Sequence, residues 1–116
     1  MALRLVWTEK AQETYFQLRS MAISSLESRI KKEKTKASLA EGLFKQVKKC
    51  VDLLKDNPRH PGLRTHEFRS KKHPNTPGGK VFEAYIQQKT PGAYRLFWCY
   101  GPEKDQITII AITPHP

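Results

Sequence analysis

The sequence predicts an α+β domain in which a helical hairpin covers one face of a sheet. Two stretches, 9–30 and 38–55, repeat apolar residues at intervals of three and four, the period of a helix with one buried side. Later stretches at 63–68, 81–88, 93–100 and 106–112 are rich in β-branched and aromatic residues and separated by turns bearing proline and glycine, which is strand patterning. The order is strand, two helices, then strands, so helices and sheet are segregated along the chain rather than alternating.

Residues 3–7 form the first strand, short and alternating around Arg4. Thr8 is placed to cap the first helix, and Glu9 puts an acid in the first turn, where the helix dipole favours one. Ala11, Tyr15, Leu18, Ala22 and Leu26 make one apolar stripe, and the helix runs to about Arg29 or Ile30. The next six residues, Lys-Lys-Glu-Lys-Thr-Lys at 31–36, are polar on every side and read as a solvated hairpin tip. Ser38 and Glu41 have the spacing of a capping box and open the second helix. Its stripe is Leu39, Leu43, Val47, Cys50 or Val51, and Leu54. It stops near Lys55, because Asn57 precedes Pro58 and Pro61-Gly62 follow.

After the short strand at 63–68 comes a loop, 69–80, with Arg69, Lys71, Lys72, His73 and Lys80 among prolines and paired glycines. A segment of that composition builds no core and is expected to be mobile. On 81–88, Phe82, Ala84 and Ile86 point one way, and Glu83, Tyr85 and Gln87 the other. On 93–100, Tyr94, Leu96, Trp98 and Tyr100 share a face, with Arg95, Phe97 and Cys99 opposite. The segment 106–112 is apolar almost throughout, so it is expected inside the sheet. Leu18, Leu43, Val47, Leu96 and Trp98 should meet in one core. Arg95 breaks the apolar pattern of its strand. A buried arginine is either paired to a carboxylate, for which Glu83 on the adjacent strand is available, or kept to hold an anion.

A chain of 116 residues is one domain, 1–116. Its 21 Lys and Arg against 11 acids give a net charge of +10, an excess that favours an anionic partner, with nucleic acid foremost. The two cysteines, Cys50 and Cys99, each sit in an apolar pattern. They make no disulfide framework and suit a reducing cytoplasm. The apolar start is too short for a signal segment or a membrane span, so no membrane association is expected. No spacing of His and Cys matches a zinc site, and Gly78-Gly79-Lys80 lacks the rest of a phosphate loop. Neither a metal nor another cofactor is expected.

The chain resembles the RelE/ParE superfamily of bacterial type II toxins along nearly its whole length. The resemblance is carried by Trp7-Thr8-Glu9-Lys10-Ala11 after the first strand and by Leu53-Leu54-Lys55-Asp56-Asn57-Pro58 at the hairpin's end. Pro61-Gly62-Leu63-Arg64-Thr65-His66 follows, then Tyr94-Arg95-Leu96-Phe97-Trp98 and Ala111-Ile112-Thr113-Pro114-His115. It implies a RelE-like fold: a short N-terminal strand and a two-helix antiparallel hairpin on a mainly antiparallel twisted sheet of four to five strands. It also implies a toxin that cleaves messenger RNA on the ribosome and is held by a cognate antitoxin with an acidic segment, encoded nearby. The superfamily's other activity, inhibition of DNA gyrase, and its inactive relatives are the alternative. In the messenger-cleaving branch the arginine of the Tyr-Arg strand contacts the scissile phosphate, and Arg95 matches it. His115 matches a polar residue after the last strand, and His66 a histidine on the second.

The chemistry asks for the same residue types. Cleavage by the ribose hydroxyl needs a base, cationic donors at the phosphate, and an acid at the leaving oxygen. Arg95 suits the phosphate; His66, His115, Glu83 and Tyr85 are the candidates for proton transfer. Each has a plainer reading: His66 as a strand residue bonded to backbone, Glu83 as a structural partner of Arg95, and Tyr85 as packing. Arg64, Arg69, Lys71, Lys72, Lys80 and Lys89 are the candidates for binding the RNA backbone.

Overall fold

The computed structural model describes residues 3–114. Its elements are β1 (Arg4–Trp7), α1 (Glu9–Lys31), α2 (Leu39–Asp56), a 3-10 turn (Pro61–Leu63), β2 (His66–Glu67), β3 (Phe82–Tyr85), β4 (Tyr94–Tyr100) and β5 (Gln106–Pro114). The five strands form one sheet in the order β1-β5-β4-β3-β2. Only β1 and β5 run parallel; the other pairs are antiparallel. β1 and β2 are the two edges of the sheet, so the helical hairpin between them carries the chain from one edge to the other, and β5 closes back beside β1.

The helix signals act as their chemistry requires. The Thr8 hydroxyl accepts from Ala11 N at 3.1 Å and donates to the Ile110 carbonyl at 2.7 Å, so one side chain caps α1 and ties it to β5. That attachment falls at a bulge, where the β4–β5 register slips between Phe97 and Trp98. Ser38 and Glu41 form the reciprocal capping box of α2. Arg29 grips Glu41 through Nη2 at 2.8 Å and the tip carbonyls of Lys34 and Thr35 at 3.2 Å, which closes the hairpin end.

The core lies between hairpin and sheet. Leu18, Val47, Leu54, Leu96, Trp98, Ile107, Ile109 and Ile112 are buried together, with Leu43 and Tyr94 packed at the edge. Two stripe positions depart from expectation. Leu26 is 37% and Leu39 95% exposed, because burial ends at Ala22 on α1 and begins only at Val47 on α2. The hairpin projects past the sheet, and its tip has nothing beneath it.

The strands on the 3-10 side are shorter than their composition suggests. Of 63–68 only His66–Glu67 is strand, with Phe68 N still donating to the Val81 carbonyl at 2.7 Å, since Pro61 starts a 3-10 turn that ends with Arg64 in the left-handed region, φ 48°. β3 ends at Tyr85, because Ile86 N and Gln87 N both turn to the Tyr94 carbonyl at 3.2 Å. The loop 69–80, expected to be mobile, is folded around His73. The imidazole Nδ1 accepts from Asn75 N and Thr76 N at 3.1 and 3.0 Å, and Nε2 meets the Tyr100 carbonyl at 3.2 Å. A side chain at Gly79 would collide with that ring at 2.5 Å.

Candidate nucleic-acid site on the open face of the sheet

Strand alternation puts Phe82, Ala84, Leu96 and Trp98 toward the helices, and therefore Glu83, Tyr85, Arg95 and Phe97 toward the open face. Register then decides who meets whom. His66 lies opposite Glu83, and Tyr85 opposite Arg95. Thr113 flanks Arg95 on its other side. Four of the five proton-transfer and phosphate candidates thus share one patch. The fifth, His115, lies outside the described residues.

Of the two readings of Arg95, the pair with Glu83 does not form. Glu83, 3% exposed, bonds His66 Nε2 at 2.8 Å instead, because β2 presents the imidazole directly across from it. Arg95, 9% exposed, has no carboxylate partner among the described residues. Its Nη1 donates to the Gln87 and Tyr94 carbonyls at 2.6 and 3.2 Å, holding the end of the β3–β4 hairpin. Its guanidinium carbon lies 3.8 Å from the centre of the Tyr85 ring, which covers one cationic face. Two buried atoms are left over: Arg95 Nε and Glu83 Oε2 have no hydrogen-bond partner.

His66 is the exposed member, with 48% of its side chain open and its ring edge-on to Tyr85 at 5.8 Å. Its Nδ1 faces the Arg64 carbonyl at 3.2 Å while Nε2 faces the carboxylate. Both partners are acceptors. Both bonds can be made only when the pair holds one proton more than neutral imidazole beside carboxylate. Imidazolium beside carboxylate meets that count, and so does imidazole accepting from a protonated carboxyl.

The basic candidates divide. Arg69, Lys71, Lys72 and Lys80 line a cavity of about 690 Å³ whose apolar wall is Phe68 and Val81. Phe68 and Val81 also pack with Phe97, so this cavity continues the open face away from Arg95. Lys71 Nζ stands 4.8 Å from the centre of the Phe97 ring. Lys89 is exposed in the β3–β4 turn at φ 58°. Arg64 is elsewhere, on a cavity with Phe82 and Trp98 of the helix-covered face. Sequence reading missed the Tyr85–Arg95 stack and Thr113 beside it, since both depend on register rather than composition.

The cysteines are inert by environment. Burial pushes the Cys50 thiol up to about 12. Burial raises Cys99 to about 11 against a smaller opposing hydrogen bond from Thr108; neither is a thiolate near neutral pH. Among the described residues no three of His, Cys, Asp and Glu gather as metal ligands. No helix there is long and apolar enough to cross a membrane.

Solved structures share this layout. A YoeB/ParE toxin from Agrobacterium tumefaciens superposes with a TM-score of 0.61 at 10% identity, covering 98% of this chain and 100% of that one. This is the fold of the RelE/ParE toxins. A chain of an archaeal RelE-RelB complex from Pyrococcus horikoshii matches at 0.57 and 12% identity over 98% of this chain and 96% of that one. A YoeB dimer from Staphylococcus aureus matches at 0.56 and 13% over 100% of both. No protein-family model matches the sequence, and no curated protein does. The RelE/ParE fold is therefore kept at identities where packing patterns persist and sequence does not.

Proposed function

We propose that the chain is the toxin of a toxin–antitoxin pair, an endoribonuclease that cleaves messenger RNA on the ribosome. The observation that carries this reading is the patch itself. A cation with an unpartnered donor edge and an exposed histidine on a buried carboxylate stand together on the uncovered face of a toxin fold. Tyr85 covers one face of the guanidinium and Nε is buried without a partner, so a phosphate reaches that donor when the Tyr85 ring swings aside. There Arg95 stabilises the charge that gathers on the non-bridging oxygens as the ribose hydroxyl forms its bond to phosphorus. The bond to the departing 5′ oxygen breaks, and His66 supplies the proton that oxygen needs. Glu83 is too buried to touch substrate and acts through His66, as a positioning residue. His115 remains the candidate for removing the hydroxyl proton. The cavity under Arg69, Lys71, Lys72 and Lys80 takes the neighbouring phosphates.

An uncovered basic patch of this kind fits an acidic antitoxin segment. The net charge of +10 makes that encounter salt-sensitive. One structural neighbour is a RelE-RelB complex, which supports a protein partner here. The test is brief induced expression with translation, replication and RNA ends followed together, for the natural chain and Arg95→Ala. The reading expects new RNA ends and falling translation, both lost in the variant. Arrested replication with intact RNA would replace it with gyrase inhibition.

A further inference from the structure

We propose a second binding site, on the helix-covered side of the sheet, that takes a single nucleotide: a base with its phosphate. The site is a cavity of about 410 Å³ walled by Arg59, Arg64, Thr65, Phe82, Trp98 and Tyr100, within the range of about 300–1,000 Å³ that small-ligand sites occupy. Phe82 and Trp98 belong to the helix-covered face, whereas His66, Tyr85 and Arg95 belong to the open one. The sheet separates the two sites, and this inference does not rest on the cleavage reading.

Three features select the ligand. The first is an aromatic platform. Phe82 and Trp98 stack at 4.8 Å, and Tyr100 stands edge-on to Trp98 at 5.0 Å. Tyr100 is 47% exposed, so it offers a ring face on which a base can stack. The second is a pair of unsatisfied groups. Trp98 is 1% exposed, yet its indole Nε1 has no acceptor, and the buried hydroxyl of Thr65 has no partner either. An indole N–H can only donate, and leaving it unpaired is costly. Both atoms are shut off from solvent, so a ligand in the cavity reaches them by displacing a neighbouring side chain, and one that does so must bring an acceptor, such as a base carbonyl or ring nitrogen. The third is charge. Arg59 and Arg64 join none of the ion pairs among the described residues, and guanidinium groups beside a stacked base suit its phosphate. An apolar ligand would leave the donors unpaired, and an anion alone would leave the aromatic face unused.

The test is a titration of the full chain followed by NMR at the Trp98 indole N–H, assigned separately from Trp7. The probes are the four ribonucleoside monophosphates, a short 2′-O-methyl oligoribonucleotide that lacks the attacking hydroxyl, inorganic phosphate, and an acidic peptide. We expect saturable movement of the Trp98 signal with mononucleotides, or with the oligonucleotide when the unit is read within a strand. These two arms distinguish the ligand's source, and either result supports the site. Tyr100→Leu and Arg59→Gln change exposed side chains and should each weaken binding about tenfold or more. Equal movement with inorganic phosphate would reduce the site to an anion contact and overturn the proposal. Response to the acidic peptide alone, no movement at millimolar nucleotide, or movement unaffected by both variants would overturn it too.

Discussion

The two faces of the sheet are built from the same strands and obey different rules. Toward the helices, β4 and β5 present Leu96, Trp98, Ile107, Ile109 and Ile112 to an apolar interior. Toward the open side, the buried apolar set shrinks to Val81, Phe97 and Ala111 with Phe68 and Ile110 at its border. The rest of that surface centres on Glu83 and Arg95, both buried and each with one atom lacking a partner. An unpaired buried polar atom costs about 1–3 kcal/mol. Trp98 Nε1 is likewise unpartnered toward the helices, so what sets the open side apart is that its unpartnered atoms belong to ionisable side chains rather than to an aromatic ring.

Mutating across a single peptide bond breaks that comparison open. Leu96 is fully buried under the helices, so Leu96→Ala should cost about 2–5 kcal/mol in denaturant unfolding. Activity per folded molecule should be nearly unchanged. Its neighbour Arg95 faces the other way, and Arg95→Ala should reduce RNA cleavage about a hundredfold or more. That variant also frees the Gln87 and Tyr94 carbonyls, so its unfolding midpoint should fall, though by less than that of Leu96→Ala. Undiminished cleavage by Arg95→Ala would make this arginine a hairpin fastener and nothing else.

The His66–Glu83 pair sharpens the contrast, because its stability and its activity should separate. His66→Ala leaves a buried carboxylate without its partner and should cost about 1–3 kcal/mol beyond the lost surface contact. Adding Glu83→Gln removes the buried charge and should restore much of that loss, a coupling readable in a double-mutant cycle. Cleavage should stay low in both, since the exposed proton donor is gone. Recovery of activity together with stability would show that His66 only shields Glu83. Single Glu83→Gln should keep the fold and reduce cleavage by less than His66→Ala, because the amide oxygen can still accept from the imidazole and hold it in place.

Much of the fold was legible because its signals are local. Thr8, the Ser38–Glu41 box and the stripes at Leu18 and Val47 act through neighbours three or four residues away, and α1 and α2 begin where these residues place them. Alternation likewise put Arg95, Glu83 and Tyr85 on one face. What escaped was non-local. The two-residue β2 and the early end of β3 are set by Pro61 and by the bonds to the Tyr94 carbonyl. No stripe count reveals that His66 reaches Glu83 before Arg95 can. Leu39 looked like core because periodicity reports a face and cannot report what lies opposite it. His73 was legible as a basic-loop residue and not as the loop's organiser, since its three partners are backbone atoms.

The smallest expected effect concerns the cover rather than the bare face, and it appears in a different pH range. Arg29, then the Ser38 backbone N–H, hold the Glu41 carboxyl down to about 2 from its ordinary 4.5. A carboxyl depressed in the folded state stabilises the fold above its unfolded value, and that contribution is lost as pH falls through the folded value. The hairpin tip should therefore weaken as pH drops from about 4.5 toward about 2. Glu41→Gln should be less stable near neutral pH and show a flatter decline across that window, measured by thermal unfolding followed by helix signal. The groups that join α1 to α2 would then report in acid, apart from the open face of the sheet. An unchanged acid profile in Glu41→Gln would place the acid sensitivity elsewhere, with Asp105, whose carboxyl Arg4 also holds low, as the next group to test.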